Sequence, residues 1–288
     1  VTGCMVEMIG DDINNVLKKF QNGKVKVIGA ETGGFRGNSY KGYETVMETL
    51  FRDFVEPKDE KNPKLVNLFG VVPIQDVFWK GNLTALKALL NKLGYEVNTF
   101  FGEGETLDNL RNSAAAVLNI VVSETFGVEA AKVFEEVHGV PYITVPFPIG
   151  DRGTENFLRT VGNALGAEKA FVDKVIKEEQ ARYYSYFERI ADVYHDLDLQ
   201  RYAVVVGDSN YTQALTKFLA DDLGWLPELV VITDFLTDEQ KERVSGSFSG
   251  YESGLTPKVV FDTDASSVGR YISEHWGQSN GEKYFEGF

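Results

Sequence analysis

The apolar residues of this chain fall into two alternating patterns. Short, continuous runs rich in β-branched residues are typical of parallel strands that are covered on both faces. Between these runs the apolar positions recur at the spacing of one helix face, as at Leu83, Leu86, Leu90 and Leu93. Repeated strand–helix units predict parallel sheets joined by right-handed crossovers. The predicted strands occupy residues 26–30, 65–72, 95–101, 117–123, 142–147, 202–207, 229–233 and 259–261.

Several predicted helices end at a glycine, which supplies the left-handed residue that commonly terminates a helix. One segment breaks the alternation of strands and helices, because residues 167–200 contain no proline and no strand-like run. We predict a single long helix there, which links one sheet to the next. Thr237 and Gln240 have the spacing of a capping box and predict the start of a further helix. The helix-ending glycines are Gly23, Gly94, Gly139, Gly166 and Gly224.

Charge and cysteine content exclude several classes of protein. The 43 acidic and 29 basic side chains give a formal net charge of −14. Such a surface repels phosphate backbones and anionic lipids, so we expect neither nucleic acid nor a membrane as a partner. No apolar stretch approaches the roughly 20 residues that cross a bilayer, and no signal segment is evident, so we expect a cytoplasmic protein. The single cysteine, Cys4, excludes an internal disulfide and fits a reducing compartment.

Loops at the predicted carboxyl ends of the strands are candidate ligand sites, because parallel sheets bind ligands at that edge. One loop contains the sequence ETGGFRG, in which Gly33, Gly34 and Gly37 permit close backbone approach and Arg36 supplies a guanidinium. Glycines in such loops are also often only turn residues, so both interpretations stay open. The sequence has neither a GxxxxGK[ST] loop nor a GxGxxG motif, which argues against a P-loop hydrolase and a dinucleotide dehydrogenase. The candidate loops are residues 31–38, 102–105, 123–127, 150–153 and 208–210.

The histidines and the cysteine form no metal-binding or catalytic motif on their own. His138, His195 and His275 lack metal-ligand spacing, so we interpret them as structural or surface residues. Cys4 without further context is a buried thiol. From the residues alone, we predict an α/β protein that binds a polar ligand.

Four segments resemble, in the right order, proteins of the nitrogenase component 1 family. GCMVEMIGDDI (residues 3–13) resembles the segment that carries the third cluster cysteine of nitrogenase molybdenum–iron protein subunits and of their cofactor-assembly and dark-operative protochlorophyllide reductase relatives. ETGGFRGNSYKGYE (residues 31–44) is similar to the glycine-rich segment beside that cluster. Residues 118–158 resemble a strand, helix and strand of the family's second domain, and residues 201–219 the opening of its third.

The resemblance implies consecutive Rossmann-like parallel βα layers with a long linking helix. Residues 1–62 are then the remainder of a first Rossmann-like domain that carries the cluster cysteine. Residues 63–199 form a second domain plus the long helix, and residues 200–288 form part of a third. Because the chain opens at Val1 rather than at methionine, we expect it to be a piece of a longer protein.

The resemblance places Cys4 on an iron–sulfur ligand, and a thiolate is the soft donor that such clusters need. It also implies that Gly33, Gly34 and Phe35 pack close to the cluster and that Arg36 tunes its charge. Some relatives have a ligating serine where this chain has Gly34. In the family the remaining ligands come from upstream in the same subunit and from a homologous partner. One thiol cannot hold a cluster, so we expect none on this chain by itself.

Ser123 departs from the family's catalytic subunit. The resemblance places it where that subunit has a cysteine that binds the active-site metal cofactor, and a hydroxyl is a poor iron ligand. We therefore expect no reduction of dinitrogen by this chain and a closer likeness to the beta-type subunits. Ser123 stays a candidate contact to a cofactor.

The resemblance implies a metal-binding, electron-transferring oxidoreductase subunit that shares an iron–sulfur cluster with a homologous component 1 subunit. It would accept electrons from an ATP-dependent iron–sulfur reductase protein. A first alternative is a scaffold on which a nitrogenase-type cofactor is assembled, with the loops at Ser123 and at residues 150–153 lining a pocket. A second alternative is an α/β module that binds a small ligand without iron.

Overall fold

The computed structural model describes residues 8, 10, 12–20, 23–33, 37–102, 104–196 and 202–276. These residues form two compact units, each described here by itself. The first unit comprises Val1–Val145 and Asn163–Ala167. The second comprises Pro146–Gly162 and Glu168–Phe288. The predicted division at residues 62 and 199 into three domains stays a prediction.

The first unit contains a parallel sheet of four strands in the order β2–β1–β3–β4. The two central strands are buried almost throughout, as expected for parallel strands covered on both faces, whereas the two edge strands are partly exposed. The strands are β1 (Leu65–Phe69), β2 (Glu96–Asn98), β3 (Leu118–Val121) and β4 (Tyr142–Thr144). The helices are α1 (Ile13–Lys18), α2 (Ser39–Asp53), α3 (Trp79–Lys92), α4 (Leu107–Arg111) and α5 (Val128–His138).

An aromatic cluster holds α2 and α5 against this sheet. The Phe51 ring on α2 lies with its centroid 5.5 Å from that of Phe69 on β1, and 4.7 Å from that of Phe134 on α5. Phe100 after β2 is also in contact, at 5.6 Å. Burying a phenylalanine side chain contributes roughly 1.5–3 kcal/mol. The position of α2 over the sheet is therefore fixed by packing.

A row of asparagines crosses the same sheet. Asn98, Asn67 and Asn119 are neighbours in the register of β2, β1 and β3, and all three are buried. Asn98 Nδ2 donates to Asn67 Oδ1 at 2.9 Å, and Asn67 Nδ2 donates to Asn119 Oδ1 at 2.8 Å. Nδ2 of Asn119 reaches the carbonyl oxygen of Val140 at 3.0 Å, so the end of the row is also bonded. Buried amides are tolerated here because each finds a partner.

The second unit contains a parallel sheet of three strands in the order β5–β6–β7. A single turn of π-helix, Phe218–Asp222, follows α8 directly. The strands are β5 (Tyr202–Gly207), β6 (Leu226–Ile232) and β7 (Lys258–Phe261). The helices are α6 (Gly150–Ala164), α7 (Lys169–Asp196), α8 (Ser209–Lys217), α9 (Asp238–Gly246) and α10 (Val268–Trp276).

The α/β fold class and its parallel sheets are confirmed. The long helix predicted for residues 167–200 is confirmed as α7, and Thr237 with Gln240 forms the predicted capping box. The strand predicted at residues 26–30 is wrong, because this described segment pairs with no other described strand. The prediction for Gly23 is also wrong: its φ is not positive, and α1 has already ended at Lys18. No helix within the described ranges is both long and apolar enough to cross a bilayer.

Candidate functional site

The candidate site lies in the first unit, where the glycine-rich segment leads into α2. Asn38 caps this helix, and its Oδ1 accepts a hydrogen bond from the backbone N–H of Lys41 at 3.0 Å. A Cβ atom at Gly37 would lie 2.9 Å from Cβ of Lys41, which is closer than real side chains approach. Gly37 therefore lets the segment turn tightly onto the first turn of α2.

The start of α2 contacts two loops at the carboxyl edge of the sheet. Ser39 Oγ donates to Gln75 Oε1 at 2.7 Å, and Gln75 belongs to the loop that follows β1. The Tyr40 ring stacks on the ring of Phe126, in the loop that follows β3, with 4.2 Å between centroids and an interplanar angle of 17°. The helix that leaves the glycine-rich segment is thus fixed at the edge where parallel sheets bind ligands.

Ser123 lies at this same edge, two residues after the end of β3. The side chain is 2% exposed, and its Oγ accepts hydrogen bonds from the backbone N–H groups of Thr125 at 3.0 Å and Phe126 at 2.7 Å. A serine hydroxyl that accepts from the following amides stabilises a turn. In this geometry Ser123 shapes the loop that carries Phe126.

Two glycines let the loops after β1 and β3 approach each other. Gly70 and Gly127 both have positive φ angles, +96° and +81°. A Cβ at Gly127 would lie 3.1 Å from the backbone nitrogen of Gly70, and a Cβ at Gly70 would lie 3.0 Å from that of Val122. Both positions favour glycine because the backbone is left-handed and the space beside it is occupied.

Glu44, one helical turn after Tyr40, connects α2 to α5. Its Oε1 lies 3.1 Å from the backbone nitrogen of Glu129, which donates the hydrogen bond. Lys41 Nζ lies 3.3 Å from the other carboxylate oxygen of Glu44 and 3.5 Å from Oε1 of Glu48. Burial raises the pKa of the Glu44 carboxyl, while Lys41 acts in the opposite direction.

Only some of the site residues predicted from the sequence lie among the residues that the structure describes. Gly33 is half-buried and Ser123 is buried. Cys4, Gly34, Phe35 and Arg36 lie outside the described residues, so their roles stay predictions. The structure brings residues 123–127, the Ser123 loop, into contact with α2, the helix that follows the glycine-rich segment. Sequence reasoning missed Tyr40 and Glu44, although their spacing of four residues on one helix face was visible in the sequence.

A second polar cluster lies in the second unit at residues 150–153, which were predicted as a loop but form the first turn of α6. The Asp222 carboxylate accepts the backbone N–H of Asp151 at 2.7 Å, and Arg152 Nε lies 3.7 Å from its other oxygen. Burial raises the pKa of Asp222. Gly150 has a φ of +74°, and a Cβ there would overlap Asp222 and Phe218. The first turn of α6 is therefore bonded to the π-helix through the backbone N–H of Asp151.

A similar arrangement fixes residues 208–210, which were predicted as a loop but form the N-cap and the first turn of α8. Asp208 caps α8, its side chain accepting from the backbone N–H of Tyr211 at 2.9 Å. Asp234, which follows β6, accepts the backbone N–H of Ser209 at 2.6 Å. Burial raises the pKa of Asp234. These carboxylates hold the first turn of α8 at the carboxyl ends of β5 and β6.

Comparison with known proteins identifies the family. The sequence pattern of the nitrogenase component 1 type oxidoreductases matches residues 1–275. The chain belongs to this family. The family resemblance of the four segments is thereby confirmed.

Several relatives within the family are beta-type or B-type subunits. The chain is 24% identical to the nitrogenase molybdenum-iron protein beta chain of Methanococcus maripaludis, with 96% of this chain and 63% of the relative aligned. It is 28% identical to the B-type subunit of the light-independent protochlorophyllide reductase of Nostoc punctiforme, with 77% and 45% aligned. It is 26% identical to the nitrogenase vanadium-iron protein beta chain of Trichormus variabilis, with 76% and 50% aligned. The chain thus spans about half to two thirds of the length of these component 1 relatives.

Solved structures show the same fold. The structure titled "Nitrogenase Cp1 at pH 6.5" superimposes with a TM-score of 0.73 at 21% identity, over 94% of this chain and 61% of that one. The structure titled "Nitrogenase Cp1 at pH 5" gives a TM-score of 0.65 at 19% identity. Together with the parallel sheets, these matches confirm a nitrogenase component 1 fold.

Proposed function

We propose that this chain is a subunit of a nitrogenase-like oxidoreductase that shares an iron–sulfur cluster with a homologous subunit. The cluster would receive electrons from an ATP-dependent iron–sulfur reductase protein. The observation that carries this proposal is the family match over residues 1–275, which includes Cys4 and the glycine-rich segment. The similarity to beta-type and B-type subunits supports a role as one of two homologous subunits in a complex.

The donor set of this chain fits a shared cluster and does not fit a cluster held by this chain alone. The one thiol is Cys4. Within the described ranges, no three His, Cys, Asp or Glu side chains are grouped so as to hold a metal ion. Since iron–sulfur clusters are held mostly by four thiolates, the other donors must come from outside these ranges, including the homologous partner. The bound cluster would supply one-electron transfer.

The chain's own residues would position and tune this group. Cys4 would bind iron through its thiolate, and Arg36 would add positive charge beside a negatively charged cluster. Gly33, Gly34 and Phe35 would pack against it. The contacts of Ser39 and Tyr40 with the loops after β1 and β3 support a fixed position for the start of α2, which follows the glycine-rich segment.

The surroundings of Ser123 support a function of this chain other than dinitrogen reduction. Its Oγ accepts two backbone N–H groups and is buried. A hydroxyl in this arrangement is already used to shape a loop, and it is a weaker iron ligand than a thiolate. We propose that Ser123 forms part of the wall beside a cofactor or substrate without binding metal.

The test is anaerobic purification of the full-length protein together with a homologous component 1 subunit. Iron and acid-labile sulfide are then measured for each heterodimer, followed by reduction of the complex by an ATP-dependent iron protein. We expect bound iron and sulfide, and reduction that requires MgATP. A complex free of iron would contradict the proposal. Transfer of the bound metal group to an acceptor apoprotein without steady turnover would instead identify an assembly scaffold.

A further inference from the structure

Helix α5 begins without a capping side chain of its own. Its N-cap residue is Gly127, with a φ of +81°. The first amides of a helix need acceptors, which a serine, threonine, asparagine or aspartate at this position usually provides. Such a residue would not fit here, because its Cβ would lie 3.1 Å from the Gly70 nitrogen in a left-handed backbone. The acceptor must therefore come from elsewhere.

Glu44 on α2 supplies this acceptor across 85 residues of sequence. Its carboxylate accepts the N–H of Glu129 at 3.1 Å and also receives a backbone hydrogen bond from Ala130. The residue is 8% exposed, so the bond is screened from water. A carboxylate at a helix N-terminus is further stabilised by the helix dipole.

Two more contacts extend this connection to Ser123. Tyr40, on the same face of α2 as Glu44, stacks on Phe126. The backbone N–H of Phe126 in turn donates to Ser123 Oγ at 2.7 Å. Tyr40 and Glu44 thus hold the Ser123 loop and the first turn of α5 as one piece. Both residues lie in the first two turns of α2, which begins at Ser39 after its cap residue Asn38.

We propose that Glu44 is a positioning residue that keeps the Ser123 loop in register with the helix that leaves the glycine-rich segment. Ser123 shapes the loop locally, but Gly127 offers no side chain to cap α5, so the contacts with α2 come from Glu44 and Tyr40. The part of the inference that concerns a cluster rests on the proposed function. The alignment of the loop does not.

The test compares Glu44→Ala and Glu44→Gln with a matched control, Glu48→Gln, in the full-length protein. Glu48 lies one turn further along α2 and also pairs with Lys41. The control therefore removes a carboxylate from Lys41 and leaves the acceptor of the Glu129 N–H in place. Hydrogen exchange is measured at the amides of residues 128–131 and, as a reference for global unfolding, at those of β1.

We expect Glu44→Ala to speed exchange at residues 128–131 by roughly five- to tenfold, as for loss of a helix cap, with β1 unchanged. Glu44→Gln should recover most of the protection, because its amide oxygen can still accept. The Glu48→Gln control should match the wild type. Unchanged exchange in Glu44→Ala, or equal acceleration in the control, would overturn the positioning role.

A second readout tests whether the cluster senses this alignment. In the anaerobic complex, Glu44→Ala should keep its iron content and shift the electron paramagnetic resonance spectrum of the reduced cluster, whereas Glu48→Gln should not. An unshifted spectrum would overturn the link to the cluster. A wild-type complex without iron would contradict the proposed function, and the exchange experiment would still decide the role of Glu44.

Discussion

The side chains of Asn67 and Asn119 are hydrogen-bonded across the neighbouring strands β1 and β3, with 2.8 Å between Nδ2 and Oδ1. Asn98 on β2 completes the row from the other side. A slip of one residue in any of these strands would separate the amides and leave buried polar groups without partners. The row therefore specifies the register of the sheet whose carboxyl edge forms the candidate site.

Replacing Asn67 with alanine should destabilise the first unit. The substitution leaves the buried Oδ1 of Asn119 without the donor Asn67 Nδ2 and removes one of the two acceptors of Asn98 Nδ2, the other being the Asn109 carbonyl. The loss should cost about 2 kcal/mol in the free energy of unfolding. Urea unfolding followed by circular dichroism measures this loss. Asn91→Ala, at an exposed position of α3, is the control and should change stability by less than about 0.5 kcal/mol. Equal effects of the two substitutions would mean that the buried row adds no stability.

Gly150→Ala should destabilise the second unit far more than Gly139→Ala destabilises the first. Both glycines have positive φ, +74° and +65°, so both variants bear a left-handed strain of roughly 1–2 kcal/mol. Only at Gly150 would the new Cβ overlap other atoms, those of Asp222 and Phe218, whereas Gly139 has open space. Thermal unfolding of the two variants compares them directly. Similar losses would show that the contact between the first turn of α6 and the π-helix is easily displaced.

His138 should make stability depend on pH. Burial lowers the pKa of its imidazole from 6.5, although Nε2 lies 2.7 Å from the carbonyl oxygen of Phe51. Among the described residues its Nδ1 is buried with no hydrogen-bond partner, so a second proton there would be unsatisfied. The unfolded chain thus binds this proton more tightly than the folded one. The contribution of neutral His138 is complete above pH 6.5 and is lost as pH falls below that value.

The variant His138→Gln tests this sign. Its free energy of unfolding should fall less between pH 7 and pH 5 than that of the wild type, because one proton-linked transition is gone. Asn91→Ala, at an exposed position of α3, removes no titrating group and should keep the wild-type slope. A steeper slope in His138→Gln would contradict the lowered pKa.

The strands could be predicted where packing alone decides the structure. Residues of β1, β3 and β6 are buried on both faces, so a continuous apolar run was sufficient to predict each strand. Residues 26–30 show the limit of this reasoning. Their apolar pattern is strand-like, yet Val27 is 46% exposed, because a strand also needs a neighbour to pair with. That neighbour is not encoded locally.

The site could be predicted only as a set of loops. Because Ser123 follows a predicted parallel strand, its place at the carboxyl edge of the sheet could be predicted. The bond between Glu44 and Glu129 joins residues 85 apart, and in the sequence Glu44 is only one of 43 acidic residues. The asparagine row similarly depends on strand register, which emerges only when the sheet forms.

The most direct test of the central claim is the iron content and Mössbauer spectrum of the anaerobic complex carrying Cys4→Ala in the full-length chain. Met8→Ala, in the same segment and 75% exposed, is the matched control. We predict that Cys4→Ala loses the shared cluster, or keeps it with one iron site altered, while Met8→Ala retains the wild-type spectrum. A Cys4→Ala complex with all its iron and an unchanged spectrum would contradict the account.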